Sequence, residues 1–232
     1  AVLAALTTAA VMRFSTTGPR WATTSNLSKV LLNINTQWKA VREQAASESK
    51  TSAANQPFLT QAQNKYAGKS AVDPSVKAEY VRLKLVQAFP TSFAEALAPA
   101  GNASLAWPNY VRYLSNLGVT SVNDTTPLEI QSAVCVLMIL EVGPKNTEVG
   151  RDELRTTAVG QLKLANGKTA QGIVDGWRHA VLFTRGYNNQ LDQAPAFLSA
   201  GADGKFGAVN TTTFQPTAND PAVTDNIVVN NP

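Results

Sequence analysis

The chain has 232 residues, 44% of them apolar and 16% charged, and twenty Lys and Arg outnumber sixteen Asp and Glu to give a net charge of +4. That excess is too small to imply a nucleic-acid partner, because phosphate recognition needs concentrated positive charge. The single cysteine, Cys135, excludes an intramolecular disulfide, and the run Ala133 to Leu140 around it marks a buried thiol. The apolar content suffices for one compact unit with an elongated appendage.

Charge is unevenly spread. Arg13, Arg20, Lys29, Lys39, Arg42 and Lys50 face only Glu43 and Glu48 in the N-terminal stem, whereas Asp192, Asp203, Asp220 and Asp225 face only Lys205 in the tail. A basic stem is therefore followed by an acidic end.

Ala1 to Met12 carries no charge and ends at Arg13. As a helix it would cover about 18 Å against roughly 30 Å of hydrocarbon, so it reads as the downstream end of a longer apolar helix. Gly18-Pro19 predicts an interruption, since proline removes a backbone donor and restricts its predecessor. Beyond it, Leu27, Val30, Leu31, Ile34, Trp38 and Val41 form one helical stripe that needs a partner surface.

Residues 44 to 72 read as a helix end and a connection with a short helix near 58 to 67. Asp73-Pro74 then caps a helix with Val76, Tyr80, Leu83, Val86 and Phe89 inward, stopped by Pro90. Ser92 and Glu95 form a second cap with a reciprocal carboxylate. Pro108 opens another helix, with Tyr110, Val111, Leu114 and Leu117 inward and Gly118 closing it. Thr126-Pro127-Leu128-Glu129 reads as a capping box before a buried helix that Gly143-Pro144 ends.

After Gly160 the pattern changes to short strands. Gln161 to Leu164 alternates, Asn166-Gly167 signals a two-residue hairpin, and Ile173 to Val174 and Ala180 to Thr184 follow as strands. An antiparallel sheet covering the N-terminal stripe is the economical assembly.

The apolar start leading into an amphipathic helix resembles the end of the N-terminal segment of type IV pilins and type II secretion pseudopilins. The family's cleavage motif is absent. Val174-Asp175-Gly176-Trp177 is similar to the Asp-x-Trp turn of the major pseudopilins, with Arg178 and His179 replacing the usual Gly-Asn. Ser199-Ala200-Gly201-Ala202-Asp203-Gly204, followed later by Asp225-Asn226-Ile227, resembles the family's C-terminal loop.

The resemblance implies an α+β fold with a stem helix over residues 1–48, whose residues 1–14 form the membrane or filament-core end. A helical insertion over 49–158 and an antiparallel sheet with a cation-binding loop over 159–232 complete it. It implies Ca²⁺ held by the Leu198 carbonyl, Ser199, Asp203 and Asp225, with Asp220 as a further candidate, a chemistry suited to a hard cation. Leu3, Leu6, Val11 and Phe14 would make the filament contacts, and Asp175 and Trp177 would be a structural motif.

The implied function is that of a structural subunit, not an enzyme, of an extracellular or periplasmic bacterial filament. Its partners would be copies of itself in a helical filament and an inner-membrane assembly machinery. The membrane would hold the N-terminal helix before assembly.

The alternative is a monomeric secreted or membrane-anchored binding module whose ligand site lies in the insertion, among Tyr80, Trp107, Tyr110 and Tyr113. A hydrolase using Asp152 with Glu153, or Asp175 with His179, lacks a third catalytic element in the sequence.

Overall fold

A computed structural model of the chain describes residues 2–48, 52–144, 158–186, 194–211, 214 and 220–230, apart from the side chains of residues 2–16 and 222. The fold is α+β, with a long N-terminal helix, a group of shorter helices and two small antiparallel sheets.

Helix α1 runs unbroken over Val2–Ser47, with Pro19 inside it. The interruption expected at Gly18-Pro19 is not formed. Proline costs one donor at this point, and the helix is tied there to the rest of the fold: Thr23 Oγ1, one turn on, donates to the Pro19 carbonyl at 2.8 Å and accepts from the Gly176 amide, outside the helix, at 2.8 Å. Thr24, Thr36 and Ser47 likewise return their hydroxyls to carbonyls four residues back, which is how a helix rich in hydroxyl residues satisfies them.

The expected stripe is buried. Leu27, Val30, Leu31, Ile34 and Trp38 lie in the main core, with Val41 at its edge, and each such aliphatic burial stabilises by about 1.5–3 kcal/mol. It is covered on one side by the helix Pro74–Ala88 and on the other by the strands Ala196–Ser199 and Ile227–Asn230.

The short helix α2 spans Gln56–Lys65, two residues earlier than expected, and α3 spans Pro74–Ala88. Asp73 caps α3 by accepting from the Ser75 amide at 2.9 Å, which holds its carboxyl below the usual range. A small second core joins Ala45, Phe58, Leu59, Val76, Tyr80 and Leu83. At its edge Tyr80 donates to Glu48 Oε1 at 2.5 Å, and Lys84 reaches Asn55 Oδ1 at 2.8 Å, so the end of the long helix is tied to α2 and α3. Burial, with Glu48 beside it, pushes the Tyr80 hydroxyl far above its ordinary value.

Helix α4 covers Phe93–Leu97, with Ser92 accepting from the Glu95 amide at 3.3 Å as expected. The reciprocal carboxylate is displaced by one residue, because Glu95 accepts from the amide and hydroxyl of Thr91, both at 2.7 Å. Helix α5 covers Pro108–Asn116 and closes with Gly118 at φ +77. Tyr110 and Leu114 are inward, but Val111 is exposed.

Helix α6, Leu128–Val142, is buried from Gln131 to Ile139 and lies under the hairpin, the strand Leu182–Thr184, α4 and α5. The expected capping box at Thr126 is not formed. Thr126 Oγ1 accepts instead from the Ala165 amide at 3.0 Å, across to the hairpin turn, and Pro127 stands at the N-cap position, with no side-chain cap.

Strands β1, Val159–Lys163, and β2, Thr169–Ile173, make the expected hairpin. Its loop has three residues and not two, because Leu164 N donates to Lys168 O and Gly167 takes φ +83 between them. The single sheet expected is divided. Strands β3, Leu182–Thr184, β4, Ala196–Ser199, and β5, Ile227–Asn230, form a separate antiparallel sheet with β4 in the centre.

One hydrophobic core joins the long helix, α3 to α6 and both sheets. The helical middle and the sheet regions thus share a core, while the sequence pattern separated them.

Candidate functional site

The turn between Val174 and Ala180, which pair as an isolated bridge, is organised by Asp175. Its Oδ1 accepts from the amides of Trp177 and His179, both at 2.9 Å, and its Oδ2 accepts from Ser199 Oγ at 2.7 Å. Asp175 is 1% exposed, so these bonds replace the water a buried carboxylate gives up. Trp177 packs, partly buried, against the main core.

The same turn touches the stem. Gly176 lies so close to α1 that a Cβ there would sit 2.2 Å from the Pro19 carbonyl oxygen. Neither Thr23 nor Gly176 stands out as a contact pair in the sequence. The one available signal is that Thr23 precedes Leu27 by four residues and so falls on the apolar stripe.

Ser199 continues the connection into the C-terminal loop by accepting from the Gly201 amide at 3.1 Å, and His179 Nδ1 lies 3.1 Å from the Gly201 carbonyl. The imidazole is 3.9 Å from Asp175 Oδ2. Ser199 gives its hydroxyl proton to the carboxylate and not to the imidazole, and it is fully buried, so the three side chains hold a turn and form no nucleophile–base pair. Asp152 and Glu153 lie outside the described residues.

Asp203 and Asp225 are brought together, Asp225 Oδ2 accepting from the Asp203 amide at 3.1 Å. Asp203 Oδ1 accepts from the Lys205 amide at 2.8 Å, and Asp220 Oδ2 from the Ala208 amide at 3.0 Å. Leu198 is buried in the central strand between Leu182 and Val228. Of the four residues implied as calcium ligands, Ser199 is thus committed to Asp175, whereas the two aspartates share a loop. Asn226, beside Asp225, donates its amide to the Phe206 carbonyl at 3.0 Å while its buried Oδ1 has no partner. Among the described residues no group of three His, Cys, Asp or Glu converges as a metal site, so any cation here would rely on amide, carbonyl and water oxygens beside two carboxylates.

Leu3, Leu6, Val11 and Phe14 all lie on α1, with their side chains outside the described set. Among the described residues no helix is long and apolar enough to cross a membrane. Of the aromatic residues of the alternative ligand site, Tyr80 and Tyr110 are fully buried, and Tyr110 donates to the Ala88 carbonyl at 2.7 Å, so these two rings are core and line no cleft.

Compared with known proteins, the chain matches no family model, no curated protein and no solved structure.

Proposed function

We propose that the chain is a structural subunit of a pilin-like filament, assembling with copies of itself through the N-terminal half of α1. The observation that carries this reading is the length of the helix. Its 46 residues span about 69 Å, whereas a compact body of roughly 185 residues is about 40 Å across. Among the described side chains of α1, the buried positions run from Thr23 to Ala45, about 33 Å of helix. Trp21, two residues before Thr23, is 75% exposed. A helix longer than the width expected for the rest of the chain, with Leu3, Leu6, Val11 and Phe14 in its N-terminal half, is suited to packing against identical helices in a non-closing array.

Replacing Leu3 and Leu6 together by Asp in the full-length chain, expressed with its assembly machinery, abolishes filaments in electron micrographs while the thermal melt of the globular part is unchanged. Normal filaments from this variant refute the assignment.

The C-terminal loop is proposed to take Ca²⁺ through Asp203 and Asp225, with Asn226 Oδ1 supplying an oxygen in place of Ser199. The orphaned amide oxygen supports this, since a buried acceptor without a partner is costly. Titration calorimetry and melts with and without EGTA test it: saturable Ca²⁺ binding that Asp225→Asn abolishes is expected. No binding and no shift in melting temperature reject it.

A further inference from the structure

We propose that the cleft between α3, α4, α6 and β3 binds a small organic carboxylate that carries an apolar body. This stands apart from the filament reading and does not depend on it. The cleft has a volume of about 350 Å³, within the usual range of small-molecule pockets.

Its charge is set by two arginines. Arg185 makes a two-pronged pair with Glu95, at 2.5 and 2.8 Å, and also donates to the Phe89 carbonyl at 2.9 Å. Glu95 takes two further bonds from Thr91, both at Oε2, so that oxygen is fully used and the carboxylate accepts four bonds in all. Arg82 pairs with Glu79 through Nε and Nη2, at 2.8 and 2.5 Å, which leaves Nη1 outside that pair. Lys65 shares Glu79 at 2.7 Å. Among the described residues three cations meet two carboxylates; Lys65 is half exposed and outside the cleft, so the positive character of the cleft rests on the Nη1 edge of Arg82.

The hydroxyl residues Thr184 and Ser132 also line the cleft. Thr184 is 5% exposed and its hydroxyl finds no hydrogen-bond partner among the described residues. Ser132 Oγ accepts from the Phe183 amide at 2.8 Å and still carries its own O–H. Both hydroxyls thus keep an O–H that an anionic acceptor can take up. A planar carboxylate matches the free edge of a guanidinium better than a spherical anion does.

The walls specify the rest of the ligand. Val86 and Phe183 line the cleft, and Leu128 at its mouth is 42% exposed, one of the few large apolar side chains left open to solvent among the described residues. An ion pair that merely ties the sheet to α4 accounts for Arg185 and Glu95. It does not account for Thr184 without a hydrogen-bond partner among the described residues, for the Nη1 edge of Arg82 outside its pair with Glu79, or for the exposed Leu128.

Phenylacetate is the probe, with phenylacetamide as its neutral analogue and inorganic phosphate as an anion without an apolar body, each titrated calorimetrically into the full chain. Saturable 1:1 binding of phenylacetate is expected, with phenylacetamide and phosphate at least tenfold weaker. Arg82→Gln should weaken phenylacetate tenfold or more. Thr184→Val, nearly isosteric and able to fold even where the arginine variant does not, should weaken it severalfold. Absence of saturable phenylacetate binding overturns the proposal. So does an affinity unchanged in Thr184→Val, or equal binding of either control compound.

Discussion

Replacing Gly176 by alanine tests whether the stem helix is locked to the sheet region at the turn of Asp175. A Cβ at this position would lie 2.2, 2.8 and 2.9 Å from the carbonyl oxygen, carbonyl carbon and Cα of Pro19. All three are helix backbone, so nothing can rotate out of the way. Gly176 is not among the positive-φ glycines, so its backbone accommodates alanine and the steric effect stands alone. Overpacking of this kind costs about 1–3 kcal/mol. Displacing the turn also loses the 2.8 Å bond from the Gly176 amide to Thr23, about 0.5–1.5 kcal/mol more.

The expected loss is therefore about 2–4 kcal/mol, seen as a fall of about 1 M in the urea midpoint with an unchanged slope. Urea unfolding followed by far-ultraviolet circular dichroism and tryptophan fluorescence measures it. Thr23→Val, which leaves the Gly176 amide buried without a partner, should cost about 1–3 kcal/mol. Because both changes act on one contact, their combined loss should fall short of the sum by at least about 0.5 kcal/mol. An alanine variant within about 0.5 kcal/mol of the parent, or strictly additive losses, refutes the lock.

Two further outcomes follow from buried groups. Burial alone would raise the Glu95 carboxyl, but its bonds to Arg185 and Thr91 hold it below its ordinary value near 4.5, and Arg82 and Lys65 outweigh burial in the same way at Glu79. A carboxyl lower in the folded state contributes stability that is complete above the unfolded value and is lost as pH falls through the folded one. Unfolding free energy should therefore decline on acidification below about pH 4.5, and Glu95→Gln should flatten part of that slope; a parent profile flat down to pH 3 contradicts the pairing. Burial pushes the Cys135 thiol well above its usual value, so a thiol reagent should label the chain only on unfolding, and prompt labelling in native buffer would show that α6 is not central to the core.

Much of the local structure was legible in the sequence because it depends on groups a few residues apart. The stripe from Leu27 to Trp38, the Asp73 cap, the left-handed Gly118 and the hairpin at Asn166-Gly167 are set by helical period, side-chain reach and backbone sterics. These are properties of short segments. The failures came where a distant partner offered a residue something better than its neighbour did.

Thr126 gave up its capping role to bond Ala165, 39 residues away, and Pro19 stays within a helix whose Thr23 is held by Gly176 in a turn 153 residues on. Ser199, placed by resemblance beside a cation, is instead spent on Asp175. The cleft between Arg82, Glu95 and Arg185 had no signal in the sequence, because its charges come from three separate elements and acquire meaning only by meeting. Periodicity and caps thus decided which segments are helix or strand. Tertiary structure decided which polar groups are spent within the fold and which remain free to bind, since a buried hydrogen bond is chosen by proximity in space.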